Sequence, residues 1–185
     1  MKRFTLLLAL VALLSANVLA QFTAGTMSVT FTRPILNATA YTAGDVVKTS
    51  SSYVLPMTIP YANLPSAVGE FTGVWASADT AGIARFTLYI LSDTTAWGAG
   101  TAADNAAFAP TYAMSKKIIA AIPIRLMSTG TLSAGVYQAF NPIPFNVTGT
   151  GRPLGFAVVC DSAYLPKAGG QYNFRFGVRF YPGQK

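Results

Sequence analysis

The residue types that most often perform catalysis are scarce in this chain. It has no histidine, one cysteine (Cys160) and six carboxylates. A Ser-His-Asp or Cys-His arrangement therefore cannot form, and zinc sites of cysteine and histidine are excluded as well. A glycosidase needs two carboxylates that face each other across a cleft. Asp79 and Asp93 are the pair considered, but both occupy predicted turns, where Asp stabilises the local backbone. We predict that the chain is not an enzyme.

Motifs that could bind a cofactor or a metal are equally scarce in the sequence. The segment Gly98-Ala99-Gly100 precedes no predicted helix and lacks the lysine that a phosphate-binding loop supplies. No calcium-type Asp cluster is present, and a lone Asp93 or Asp161 in a loop is a weak cation candidate. Cys160 ends the apolar run 156–160 and is interpreted as a small core residue rather than a reactive thiol. The sequence predicts no cofactor and no metal site.

Large aromatic and arginine side chains offer contact chemistry instead. Trp75 lies between Val74 and Ala76 in a predicted strand, so it points to the opposite face from them. Packing or subunit contact is the preferred interpretation, and stacking against a sugar is the alternative. Trp97 lies in the Gly-rich segment 96–101, where an aromatic tip suits a partner contact. The candidate interface residues are Trp75, Trp97, Tyr89, Arg85, Arg175 and Arg179.

The first twenty residues form a leader. Met1-Lys2-Arg3 precedes an apolar stretch, 4–14, and small residues lead to Ala20, which is typical of an export signal cleaved before Gln21. A retained N-terminal arm, a membrane anchor, and translation from Met27 are the alternatives. We therefore divide the chain into a leader, 1–20, and one domain, 21–185. No later apolar run reaches the roughly 20 residues of a membrane span, so none is predicted in the domain.

Composition favours contact with other proteins. Charged residues make up 10% of the chain and hydrophobic residues 52%, whereas soluble domains usually carry about 25% charged residues. A surface so poor in charge is more easily explained if part of it is buried against other subunits. The net charge is +7, but beyond the leader the basic residues are scattered. A nucleic-acid surface needs a denser basic stripe, so no specific nucleic-acid partner is predicted. The cations aid solubility or match an acidic partner.

Alternating side chains predict strands along the domain. In 171–181 the residues Tyr172, Phe174 and Phe176 oppose Arg175 and Arg179, which places Phe174 and Phe176 in the predicted core. The segment 83–91 alternates in the same way and places Phe86 and Leu88 in the predicted core. Further strands are predicted over 28–33, 46–48, 53–59, 71–78, 117–125, 139–145 and 153–160. No segment of the domain keeps a helical period, since the best one, 102–116, is interrupted by Pro110.

This pattern predicts the fold class. Short strands separated by turns, such as 42–45 and 79–82, favour an all-β fold. We predict a single-domain antiparallel β-sandwich, jelly-roll-like, with about eight strands. Its two sheets are expected to stack about 10 Å apart.

Several stretches resemble a group of small tailed-phage structural proteins. Thr32-Arg33-Pro34, followed by the stretch 39–47 with sequence TAYTAGDVV, is similar to their "TRP…TAYxAGDVV" opening. Looser matches continue at 84–89, 103–108, 122–124 and 170–174, so the resemblance spans about 28–180.

The resemblance implies a jelly-roll virion component of the capsid cement or decoration type. Its expected partners are the major capsid protein or copies of itself, as a homo-oligomer, and its expected location is the capsid surface. The export-like leader departs from this pattern, because capsid parts assemble in the cytoplasm. An exported β-sandwich, either an adhesin or a carbohydrate-binding module that is secreted or held at the cell surface, is therefore the alternative.

Overall fold

Eight strands and one short helix make up the part of the chain described by the computed structural model, residues 23–32, 40–47, 66–92, 104–148, 154–167 and 169–181. The strands are β1 (Thr23–Thr32), β2 (Val46–Val47), β3 (Ser66–Ala78), β4 (Ala84–Leu91), β5 (Ile118–Ser128), β6 (Ala134–Thr148), β7 (Gly155–Cys160) and β8 (Gln171–Phe180). The helix, α1 (Tyr112–Ser115), is a single turn capped by Thr111, whose hydroxyl accepts a hydrogen bond from the Met114 amide. The predicted strand at 53–59 lies outside the described residues.

The strands form two antiparallel sheets that share one continuous order, β1-β8-β3-β6-β5-β4-β7-β2. Sheet I comprises β1, β8, β3 and β6, and sheet II comprises β5, β4, β7 and β2. The β5–β6 hairpin joins them, and these two strands pair at only two positions, Met127 with Gly135 and Ser128 with Ala134. Beyond that point the sheets separate and face each other. The predicted sandwich of jelly-roll type is therefore confirmed.

The strand pairs are nested along the chain: the innermost pair joins consecutive strands, and the outermost pair joins the first strand to the last. β4 pairs with β5, β3 with β6, β2 with β7, and β1 with β8. Two further pairings, of β3 with β8 and of β4 with β7, close each sheet sideways. This arrangement of two four-stranded sheets is the jelly roll.

Aromatic side chains fill the space between the sheets. Phe174 and Phe176 of β8 are fully buried, as are Phe86 and Leu88 of β4, so all four predicted core residues are confirmed. Phe156 of β7 bridges the sheets, because its ring centroid lies 5.2 Å from that of Phe174 and 5.5 Å from that of Phe176. Such tilted and edge-on contacts add to the free energy of apolar burial.

Two smaller predictions, on Cys160 and on the turn before β2, are also confirmed. Cys160 is fully buried and belongs to the main core. The turn before β2 forms as expected, with Gly44 at a φ of +92°. In this turn the Asp45 carboxylate accepts hydrogen bonds from the backbone amide and the hydroxyl of Thr42. Asp45 is buried, and these bonds supply the partners that a buried carboxylate needs.

The described end of the connection from β4 to β5, residues 104–117, lies over sheet II. Its backbone pairs with the edge of β2, where the Val46 amide donates to the Ala106 carbonyl at 2.9 Å and the Phe108 amide to the Gly44 carbonyl at 2.8 Å. Met114 of α1 then covers a second apolar cluster on the outer face of sheet II. One half of that face is thereby buried, and the half nearest the β5–β6 hairpin stays exposed.

Candidate interaction surface

The carboxylates are spread over the molecule and engaged locally. Each of the five described carboxylates accepts a hydrogen bond from a neighbouring group: Asp45 from Thr42, Glu70 from Arg179, Asp79 from Gln171, Asp104 from Tyr41, and Asp161 from Thr87. Within the described ranges no group of three His, Cys, Asp or Glu side chains is placed to hold a metal ion. Asp93, the other half of the carboxylate pair considered from the sequence, lies outside those ranges.

Trp75 is the centre of a row of side chains across the outer face of sheet I. Its strand neighbours at the same level are Tyr137 of β6 and Arg175 of β8. The Tyr137 ring centroid lies 4.6 Å from that of the indole, and the Arg175 guanidinium carbon lies 4.7 Å from it. Since β6 and β8 flank β3, the two neighbours approach the indole from opposite sides. We call these three residues the aromatic row.

Glycines beneath the aromatic row let its rings lie close to the sheet. A Cβ atom at Gly73 would come within 3.3 Å of the Tyr137 hydroxyl, and one at Gly177 within 3.7 Å of the Trp75 ring. Each aromatic ring therefore leans over a glycine of the next strand and shields backbone that no side chain of its own covers. Trp75 keeps 37% of its surface exposed and Tyr137 keeps 55%.

A shallow, open groove of about 630 Å³ runs beside the aromatic row. Ser77 of β3, Asn173 of β8 and Gly135 of β6 form the next level of the sheet, and their small side chains leave this space. Thr129 of the β5–β6 turn closes one end. The groove thus places polar groups next to aromatic rings.

The other predicted interface residues have distinct surroundings. Tyr89 is half-buried, with its ring centroid 4.6 Å from that of Phe108 in the cluster beneath α1. Arg179 is exposed and pairs with Glu70 at 3.2 Å. Glu70 also accepts a hydrogen bond from the Tyr181 hydroxyl, which raises the pKa of Tyr181 above its ordinary value of 10.0. Trp97 lies outside the described residues.

Arg85, another of the predicted interface residues, lies opposite a second arginine. It is exposed on the outer face of sheet II, directly across the strand pair from Arg125. At this end of the strand pair, Ala84 lies opposite Leu126. Continuing the register by one residue places Ile83 beside Met127. All four side chains are exposed. We call Ile83, Arg85, Arg125 and Met127 the corner patch, because Met127 also pairs with Gly135 where the sheets join.

The sequence alone did not single out Tyr137, Arg125, Ile83 or Met127 as contact residues. Arg125 follows a visible alternation with Ile122 and Ile124, which predicts its outward direction. Its neighbour across the strands is set by a register between distant segments, and no local spacing reveals that. The structure brings Arg85 to Arg125 and Trp75 to Arg175, but places these two groups on different sheets.

Comparison with known proteins leaves the chain without an assigned family: no family model matches it, and no curated protein matches it either. Of the described helical residues, none belongs to a helix long and apolar enough to cross a membrane.

Proposed function

We propose that this chain is a virion structural protein, a cement or decoration subunit that binds the capsid shell through its outer surface and performs no catalysis. The observation that carries the proposal is the grouping of exposed apolar side chains. Of the seven large hydrophobic residues exposed in the described part, five border the β5–β6 hairpin: Trp75, Ile83, Met127, Leu132 and Tyr137. Exposed apolar side chains that gather in one region of a surface are typical of protein contact sites.

The composition of this region supports a protein partner. Trp, Tyr, Met and Arg are the residue types enriched at protein interfaces, and the region holds all four. The outer surface also turns from sheet I to sheet II at the hairpin, so a partner seated there reaches both faces. On a capsid lattice, many such modest contacts act together and give tight attachment.

Purified particles of the virus that encodes the chain provide the test. We expect the protein in a fixed ratio to the major capsid protein, measured by quantitative mass spectrometry. Recombinant protein should also co-sediment with particles from which the native copies have been removed. If the protein is absent from purified particles and also fails to co-sediment with them, the proposal is wrong.

A matched pair of variants locates the contact. Ile83→Ser with Met127→Ser should weaken co-sedimentation by about tenfold or more, since apolar anchors carry much of an interface's binding energy. Tyr112→Ser with Leu165→Ser, the two exposed hydrophobics away from the hairpin, should change it by less than about twofold. Equal losses in both variants would place the contact elsewhere.

Self-association is part of the same proposal, with copies of the chain as additional partners on the particle. Sedimentation velocity over a range of protein concentrations measures it directly. Oligomers are expected to form as concentration rises and to dissociate on dilution.

The groove beside the aromatic row favours a second candidate, an exported β-sandwich that binds carbohydrate. Asn173 and Ser77 can hydrogen-bond sugar hydroxyls, and the exposed ring of Tyr137 can stack on a pyranose. The Trp75 ring already contacts both Tyr137 and Arg175, and Tyr137 is the more exposed of the two aromatic rings. A glycan-array signal lost in Tyr137→Ala, with Gln21 as the N-terminus of the secreted protein, would support this candidate against the virion proposal.

A further inference from the structure

The carboxylates and the arginines of this molecule differ in whether they have bonding partners within the chain. All five described carboxylates accept hydrogen bonds from groups of the chain itself. Of the four described arginines, Arg179 has an ion-pair partner, whereas Arg85, Arg125 and Arg175 form no ion pair. Among the described cations, three arginines and the exposed Lys116 thus carry charge that no carboxylate of the chain pairs with, in a chain of net charge +7.

Two of these arginines occupy directly paired positions on neighbouring strands. Arg85 and Arg125 are direct partners across β4 and β5, an arrangement that brings Cβ atoms to within about 5.5 Å. Like charges placed directly opposite each other destabilise a strand pair. The fold thus accepts a small repulsion at an exposed position where any polar residue would be tolerated.

The carboxylate beside Arg85 on the flanking strand forms no ion pair with it. Asp161 follows β7 on the other side of Arg85, and its backbone amide donates to the Arg85 carbonyl at 2.9 Å. Its carboxylate accepts a hydrogen bond from the Thr87 hydroxyl at 2.8 Å instead of pairing with the guanidinium. Within the described part of the chain, neither Arg85 nor Arg125 forms an ion pair.

We propose that the corner patch binds an acidic surface of a partner protein, with carboxylates of the partner bridging Arg85 and Arg125 and its apolar groups covering Ile83 and Met127. This rests on the proposed function and adds to it the docking face and the partner's chemistry. Guanidinium groups bind carboxylates in a bidentate manner, and two adjacent groups can hold one or two carboxylates.

Two other occupants fit the patch less well. A second copy of the chain that docked by a two-fold axis would set arginine against arginine, and its described carboxylates are already engaged. Nucleic acid would neutralise the arginines through phosphate, but exposed Ile83 and Met127 contribute nothing to a phosphate backbone. Of the occupants compared, an acidic protein surface uses both kinds of group.

The test uses two labelled peptides of about twelve residues with equal charge, one alternating glutamate with leucine and the other glutamate with serine, and a short duplex DNA. Binding to the full chain is measured by fluorescence anisotropy at low and at physiological salt. The patch variant carries Arg85→Gln and Arg125→Gln. The control variant carries Lys116→Gln and Arg179→Gln, which removes the same charge from two other surfaces. Circular dichroism and melting temperature establish that both are folded.

The glutamate–leucine peptide is expected to bind the wild-type protein more tightly than the glutamate–serine peptide. The patch variant should weaken this binding by about tenfold or more, and the control variant by less than about twofold. Equal weakening in the two variants, equal affinity for the two peptides, or no binding of the glutamate–leucine peptide would overturn the proposal. So would tighter binding of the duplex DNA with the same dependence on Arg85 and Arg125, since the patch would then be a nucleic-acid surface.

Co-sedimentation of the same variants with particles separates this inference from the proposed function. If the wild-type protein and the patch variant attach equally well, the virion role stands and the corner patch is not its docking face. If neither attaches while the peptide result holds, the patch binds acidic protein but the virion role is wrong.

Discussion

Gly44 illustrates how a single residue shapes the start of β2. Its φ of +92° suits glycine, and a Cβ atom there would meet no atom within 4 Å. The penalty for a side chain is therefore conformational and not steric. Gly44→Ala is expected to lower the free energy of unfolding by about 1–2 kcal/mol. Urea denaturation measures it, with Gly130→Ala as the control, because Gly130 also faces open space and lacks a positive φ. Equal losses in both variants would contradict the conformational explanation.

Tyr181 offers a titration that reports one hydrogen bond. The Glu70 carboxylate accepts from its hydroxyl and raises its pKa above 10.0, and the nearby Arg179 charge opposes this effect. Glu70→Gln should lower the pKa of Tyr181, because the acceptor charge disappears while Arg179 remains. The difference in ultraviolet absorbance between each protein and its Tyr181→Phe version isolates this tyrosine among nine. An unchanged Tyr181 titration in Glu70→Gln would refute the assignment.

The same pKa shift has a consequence for stability. A group whose pKa is higher in the folded state contributes stability below its unfolded pKa and loses it as pH rises through the folded value. The Tyr181–Glu70 bond therefore supports the fold at neutral pH. Its contribution fades only in alkali, above the ordinary tyrosine value of 10.0.

At the level of strands, β8 carries the centre of the core. Phe176 is fully buried, and its ring centroid lies 5.7 Å from that of Phe71 and 5.5 Å from that of Phe156. Phe176→Ala is expected to lower the free energy of unfolding by about 3–5 kcal/mol, through lost burial and the cavity left between the sheets. Calorimetry provides the measurement, and Leu132→Ala, at a side chain that is 81% exposed, serves as a near-neutral control. A loss below about 1 kcal/mol for Phe176→Ala would contradict its place in the core.

In the pairing of β4 with β5, Arg85 and Arg125 of the corner patch place two positive charges opposite each other. Arg125→Glu converts the Arg85–Arg125 pair into an opposite-charge pair on the same strands. We expect the free energy of unfolding to rise by about 0.5 kcal/mol at low salt, with the gain shrinking as salt is added. Arg179→Glu, which should instead set two acids at Glu70 and residue 179, is expected to be destabilising. A stabilisation of both variants would mean that net charge, not the local pair, is responsible.

Strands with strong alternation, and the continuous apolar run of β7, could be predicted from the sequence, whereas the first halves of β1 and β3 could not. Phe174 and Phe176 of β8, and Phe86 of β4, alternate with polar residues, so a local pattern is enough to place them in the core. The first halves of β1 and β3 are rich in Thr, Ala, Ser and Gly. Their strand structure comes from pairing with β8 and β6, which is information held in distant segments.

The candidate surface was predictable in part for the same reason. Alternation gives the outward direction of Trp75, Arg85 and Arg175, but their neighbours depend on the register between strands. The half-burial of Tyr89 beneath α1 and Phe108 follows from a loop folding back over the sheet, and no short-range pattern encodes that.

For the whole molecule, nested pairing links chain topology to folding rate. The innermost pair, β4 with β5, joins nearby segments, whereas β1 with β8 sets Thr23 opposite Phe180. Because closing such long loops costs entropy before contacts repay it, we expect the main refolding phase in milliseconds to seconds. Stopped-flow tryptophan fluorescence measures it. Since a proline-limited phase takes tens of seconds, refolding after brief unfolding separates the two. A main phase of microseconds would show that local contacts dominate and would contradict the nested topology.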